Sequence, residues 1–147
     1  MKNTVITITA VAATLIAAPA MAESWHIVSR SSATAFMVDV DSITEAGDVR
    51  TVILARVPAT GPADDLSYSA GEVSIRCSAK QSKPGVEILY GADGAEQERI
   101  DDGYDFEPIA RNSLDSYVKD MVCDNQRSAA VFPSIRAFIE AGRPQPR

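Results

Sequence analysis

The sequence predicts an α+β domain: a single antiparallel β-sheet of about six strands, with a C-terminal helix packed on it and tied by one disulfide. Three observations carry that expectation. Apolar and polar residues alternate from residue 25 to residue 90, most regularly over 49–57 and 68–79. A run with helical spacing appears only after Pro108. The two cysteines, Cys77 and Cys123, stand one in each part.

The N-terminus reads as an export signal. Lys2 supplies the positive start, an apolar stretch of about 14 residues follows, Pro19 breaks it, and Ala20-Met21-Ala22 is the small-x-small pattern of a cleavage site. A retained anchor would need about 20 apolar residues. Residues 1–22 are therefore expected to be a cleaved signal peptide. Their removal takes away only the charge of Lys2 and leaves 125 residues, with 13 cationic and 20 anionic side chains, a net −7. No cysteine stands immediately after the cleavage site, so a lipid anchor is not expected. The expected location is the periplasm or beyond.

In the exported part, Trp25 and Ile27 share one face of a first strand. Residues 35–40 form a second, ended by Asp41-Ser42 and the Gly47-Asp48 turn. In 49–57, Val49, Thr51, Ile53, Ala55 and Val57 face one way and Arg50 and Arg56 the other. Pro58 stops it, and 59–65 is a loop of Gly, Pro and Asp. Residues 68–79 place Val73, Ile75 and Cys77 inward against Glu72, Ser74 and Arg76 outward, the pattern of a half-buried antiparallel strand. Lys83-Pro84-Gly85 reads as a turn, 86–90 as a strand, Ala92-Asp93-Gly94 as a hairpin turn and 96–100 as its return.

Beyond Pro108 the period changes. Leu114, Tyr117, Val118, Met121 and Val122 form one helical stripe, with Asn112 or Ser113 as N-cap and Asp115 in the first turn. Cys123 falls about 180° from Leu114, off the stripe, so a helix bridged there should end there, at Asp124-Asn125. A second short helix is expected over 133–141, with Pro133 at its first position and Gly142 past its end. Its apolar stripe, Phe132, Ile135, Phe138 and Ile139, should dock on the domain or on a second copy, a possible homodimer. Residues 143–147 read as a disordered tail. The expected organisation is thus a signal peptide at 1–22, a domain at 23–125 and a C-terminal extension at 126–147.

Cys77 and Cys123 are read as a structural disulfide. An even cysteine count in an exported chain is first a bridge. A zinc cluster lacks ligands, since His26 is the sole histidine. A redox pair would stand as C-x-x-C rather than 46 positions apart. Closing so long a loop is worth about 4 kcal/mol in the chain-entropy view.

Composition excludes more than it assigns. With 14 Lys and Arg against 20 Asp and Glu, net −6, no basic stretch could hold nucleic-acid phosphates. His26 sits beside Trp25 on a strand, no G-x-S-x-G elbow exists, and Gly85, Gly91 and Gly94 lie in turns rather than in a phosphate loop. The acidic runs Asp101-Asp102-Gly103-Tyr104-Asp105-Phe106-Glu107 and Asp39-Val40-Asp41-Ser42-Ile43-Thr44 lack the spacing of a calcium loop and read as solvated loop charge. No catalytic, cofactor-binding or metal-binding residue is expected.

The order of elements carries one resemblance. Ser24-Trp25-His26-Ile27-Val28 is followed by Phe36-Met37-Val38-Asp39-Val40-Asp41-Ser42-Ile43 and by Val73-Ser74-Ile75-Arg76-Cys77. A strand with Tyr90 precedes Asp93-Gly94, and Phe106-Glu107-Pro108-Ile109-Ala110-Arg111-Asn112-Ser113-Leu114 leads to Val122-Cys123. Over residues 25–123 this resembles the surface-adhesin E domain family, small exported bacterial domains of an antiparallel sheet with a disulfide-tied C-terminal helix. The resemblance implies a non-catalytic protein-binding module, binding host or envelope proteins. The alternative is a periplasmic inhibitor or accessory factor of an envelope enzyme. The chain departs from the family pattern in lacking the lipidation cysteine and in carrying residues 124–147. Fold likeness by itself is an associational argument for function.

Overall fold

Residues 22–145 are described by a computed structural model, so the expected signal peptide, all but Ala22, lies outside the described residues. The alternating segments become a meander of six antiparallel strands: β1 (Trp25–Arg30), β2 (Thr34–Ala46), β3 (Val49–Pro58), β4 (Tyr68–Arg76), β5 (Gln81–Tyr90) and β6 (Glu96–Ile100). Two short additions bring the described sheet to eight strands rather than six: β7 (Glu107–Pro108), beside the start of β5, and β8 (Val131–Phe132), beside β1. Spatially the order is β6-β5-β4-β3-β2-β1-β8.

Two turns expected from sequence are bulges instead. The second strand does not stop at Asp41-Ser42 but runs on to Ala46, with the pairing to β3 slipping between Asp39 and Thr44. Ser42 closes that gap: its hydroxyl donates to the Asp39 carbonyl at 2.7 Å and accepts the Ile53 N–H at 2.9 Å. A side chain thus takes the ladder's place, which sequence alternation cannot announce.

Pro84-Gly85 lies inside β5, where two residues, Gly85 and Val86, stand opposite the single Glu72 of β4 between the pairs Val73–Pro84 and Gly71–Glu87. The chain reverses earlier, at 77–80, where Lys80 adopts φ 51°. Pro84 is tolerated because the outer side of β5 is paired to β6 only from Glu87 and to β7 only up to Ser82. There, no ladder bond needs its missing N–H.

Neighbouring residues along β2 and β3 are buried on opposite faces: Met37, Ala55 and Val57 on one, Val38, Val52 and Leu54 on the other. Both faces are therefore covered at the centre. Helix α1 (Leu114–Cys123) lies on the second face through Val118, Met121 and Val122. Ser113 caps its start, accepting the Ser116 N–H at 3.2 Å, and Asp115 on the first turn accepts the hydroxyl of buried Ser82 in β5. The helix ends at Cys123 with Asn125 in the left-handed region at φ 55°, and Cys123 bridges to Cys77 just past β4, Cα to Cα 5.8 Å.

Helix α2 (Ile135–Glu140) covers part of the first face, burying Ile135, Phe138 and Ile139 against Trp25, Ile27, Met37 and Val57. Its N-cap is Ser134, accepting the Ala137 N–H at 3.0 Å, so Pro133 precedes the cap rather than occupying the first helical position. Phe132 of β8 meets Phe138 edge to face at 5.1 Å. The apolar stripe that left a homodimer open is thus satisfied within the chain.

The expected loose tail fails at Arg143, which is only 3% exposed. After Gly142 (φ 82°) the chain turns back, and the Arg143 guanidinium donates to the carbonyls of Gly61, Pro62 and Asp65 at 2.8–2.9 Å. The 59–67 loop and the chain end are fastened by one buried cation. Arg143→Ala would strip three carbonyls of their donor, and we expect it to lower the unfolding free energy by about 2–3 kcal/mol in urea titrations. An unchanged midpoint would mean that the contact is incidental.

Candidate functional site

Helix α1 buries Val38, Val52 and Leu54 on the second face, while part of the first face stays open. On the first face the ladder aligns Trp25, Asp39, Ile53 and Glu72 in one row. Beneath it lie Ile27, Met37, Ala55, Ala70, Ile88 and Arg99. Tyr68 and Tyr90 are paired in the next row. Helix α2 sits over the β1–β3 side of these rows. The β4–β5 side stays open, and there Ile53, Val86 and Ile88 are half-buried around a cavity of about 230 Å³.

Its walls are aromatic. Tyr68 and Tyr90 stack with centroids 4.4 Å apart and planes 13° from parallel, and Trp25, the only tryptophan, closes the far side. Three carboxylates form the rim. Glu23 accepts the Trp25 Nε1–H at 2.8 Å. Asp39, buried, accepts the N–H groups of Ser24 and Asp41 through Oδ1, at 2.9 and 3.1 Å. Glu72 lies over Gly85, where an added Cβ would stand 3.0 Å from its carboxylate, so the bulge glycine makes room for it.

Burial, helped by Tyr90, pushes the Tyr68 phenol up to about 12. A phenol raised in the fold adds stability that is complete below pH 10 and is lost as the pH climbs through 12. Tyrosine absorbance titration should therefore show its latest component removed by Tyr68→Phe, and the variant should lose less stability above pH 10. Titration of all four tyrosines together would contradict the buried stack.

The other residues weighed for chemistry do structural work. His26 is 6% exposed, its Nδ1 3.2 Å from the Ser128 carbonyl oxygen and its Nε2 3.4 Å from Ser24 Oγ, so it fastens the segment after α1 to β1. Cys77 and Cys123 are both spent on the bridge. Asp39 is not the solvated loop charge expected of its run but a buried acceptor for two backbone amides. Among the described residues no group of three or more His, Cys, Asp or Glu is placed to hold a metal ion.

On the opposite face a cavity of about 220 Å³ lies beside the 101–106 loop, lined by Arg56, Glu87, Tyr104 and others. Its one cation is already matched: Arg56 pairs with Glu87 at 3.1 Å, Ser69 donates to the same carboxylate at 2.8 Å, and Asp102 in the lining accepts the Tyr104 hydroxyl at 3.1 Å. The first face is the better candidate. Alternation groups Ile53 with Ala55 and Val57 but gives no sign that α2 covers the latter two and leaves Ile53 open. No protein-family model, no curated protein and no solved structure matches the chain.

Proposed function

We propose that the chain is an exported, non-catalytic protein-binding module of the surface-adhesin E kind, and that it engages its partner through the open half of the first sheet face. The observation that carries this reading is the juxtaposition of half-buried Ile53, Val86 and Ile88 with the Tyr68–Tyr90 stack and Trp25 around one shallow cavity. Apolar floor, aromatic wall and polar rim are the anatomy of a protein interface. The disulfide and the N-terminal pattern of residues 1–22 support export. Among the described residues no helix is long and apolar enough to cross a membrane.

Two measurements test it together. Cell fractionation with protease shaving should find the protein outside the inner membrane. The purified, disulfide-bonded protein, immobilised, should retain a protein from envelope extract or from a panel of matrix proteins, and Ile88→Glu should abolish retention without changing the thermal midpoint. Retention that survives Ile88→Glu, or no retention at all, would overturn the reading.

A further inference from the structure

We infer that the open sheet face takes a cationic partner segment, one that sets Arg or Lys beside aliphatic or aromatic side chains. The inference rests on the proposal that this face binds protein, and it adds the chemistry of what is bound. Charge carries it. Glu23, Asp39 and Glu72 stand around the cavity, and among the described residues none of the three is in an ion pair.

The nearby cations are already engaged. Arg99, which lines the cavity itself, is paired with Glu96 on its own strand at 3.1 Å, and Arg136, in the adjoining hollow beside Tyr68, with Glu140 on its own helix at 3.5 Å. The ammonium that cleavage after Ala22 would place on Glu23 offsets one of the three negative charges and leaves the rim net negative. The chain as a whole, at −6, adds to the same field.

The three carboxylates are also unequal in what they offer. Asp39 gives Oδ1 to two backbone amides and Glu23 gives Oε2 to the Trp25 indole, so both are held in place. Glu72, on the solvent side of the bulge, is exposed and makes no such bond. A guanidinium or ammonium arriving above Ile53 and Ile88 would meet Glu72 first, with Asp39 and Glu23 fixed behind it. Aliphatic neighbours two residues away on an extended segment would fall on the apolar floor. An acidic segment would face three uncompensated like charges.

The test uses three acetylated, amidated octapeptides with the same Leu, Phe and Ser residues, carrying two Arg, two Gln or two Glu. Each is titrated into the disulfide-bonded protein while the emission of Trp25, the sole tryptophan, is followed. The Arg peptide should bind at least tenfold more tightly than the Gln peptide at 50 mM NaCl, and the Glu peptide should not bind. The preference should shrink several-fold at 500 mM NaCl and in Glu72→Gln. Ile88→Glu should weaken the apolar contact in every case. Equal binding of all three peptides, each lost in Ile88→Glu, would overturn the cationic partner while leaving the face as the binding site. Arg-peptide binding indifferent to both Ile88→Glu and Glu72→Gln would be diffuse attraction to an acidic protein and would overturn both readings. No binding of any peptide at millimolar concentration would overturn the inference.

Discussion

Replacing Cys77 and Cys123 together by serine is expected to lower the unfolding free energy by about 4 kcal/mol, a large share of the 5–15 kcal/mol typical of a domain. The bridge closes a loop of 46 residues and joins the end of β4 to the last residue of α1. Without it, α1 is held by Val118, Met121 and Val122, by the Ser113 cap and by the Ser82–Asp115 hydrogen bond. Those contacts all come from one ten-residue helix. Urea titrations of the oxidised protein and the double variant would measure the difference. A change below about 1 kcal/mol would show that α1 stays docked in the denatured ensemble or needs no staple at all.

Phe138→Ala should have an effect of similar size for a different reason. Phe138 is fully buried and fills the layer between α2 and the first sheet face, in edge-to-face contact with Phe132. Truncating a phenylalanine in such a place costs about 3–5 kcal/mol, from lost transfer energy and the cavity left behind. Tyr117→Ala, at a helix position that is 42% exposed, should change stability by no more than about 0.5 kcal/mol and serves as the control. The elution volume of the wild-type protein should be that of a monomer if this stripe is used within the chain. A Phe138→Ala variant as stable as wild type would mean that α2 is not anchored on the sheet.

Most of the architecture was legible in the residues because local chemistry dictated it. The stripe from Leu114 to Val122, Ser113 before it and Asp124-Asn125 after it marked α1 from cap to end. Alternation through 49–57 marked β3, and the pair of cysteines in a chain read as exported marked the bridge. What was not legible depended on groups far apart in the chain. Pro84-Gly85 has the composition of a turn, and only the gap between β6 and β7 makes a bulge there acceptable. Asp41-Ser42 resembles a strand end, yet the Ser42 hydroxyl keeps β2 joined to β3. Arg143 stands in a Pro-rich stretch of high polarity, and its burial follows from three carbonyls some 80 positions earlier.

The binding face was the least legible part. Alternation says which residues share a face, as it does for Ile53, Ala55 and Val57, but not how far a later helix will reach across it. Nor does it bring Glu23, Asp39 and Glu72 to one rim, since those residues come from the start of the described chain, from β2 and from β4.

Carbene footprinting of the disulfide-bonded protein, alone and with the protein it retains, tests the central claim most directly. Protection should concentrate on Ile53, Val86, Ile88, Tyr68 and Tyr90, while Tyr117 on α1 and Tyr104 in the 101–106 loop label equally in both states. Protection of Tyr104 or Tyr117, with the Tyr68–Tyr90 corner still fully labelled, would place the partner elsewhere and contradict the account.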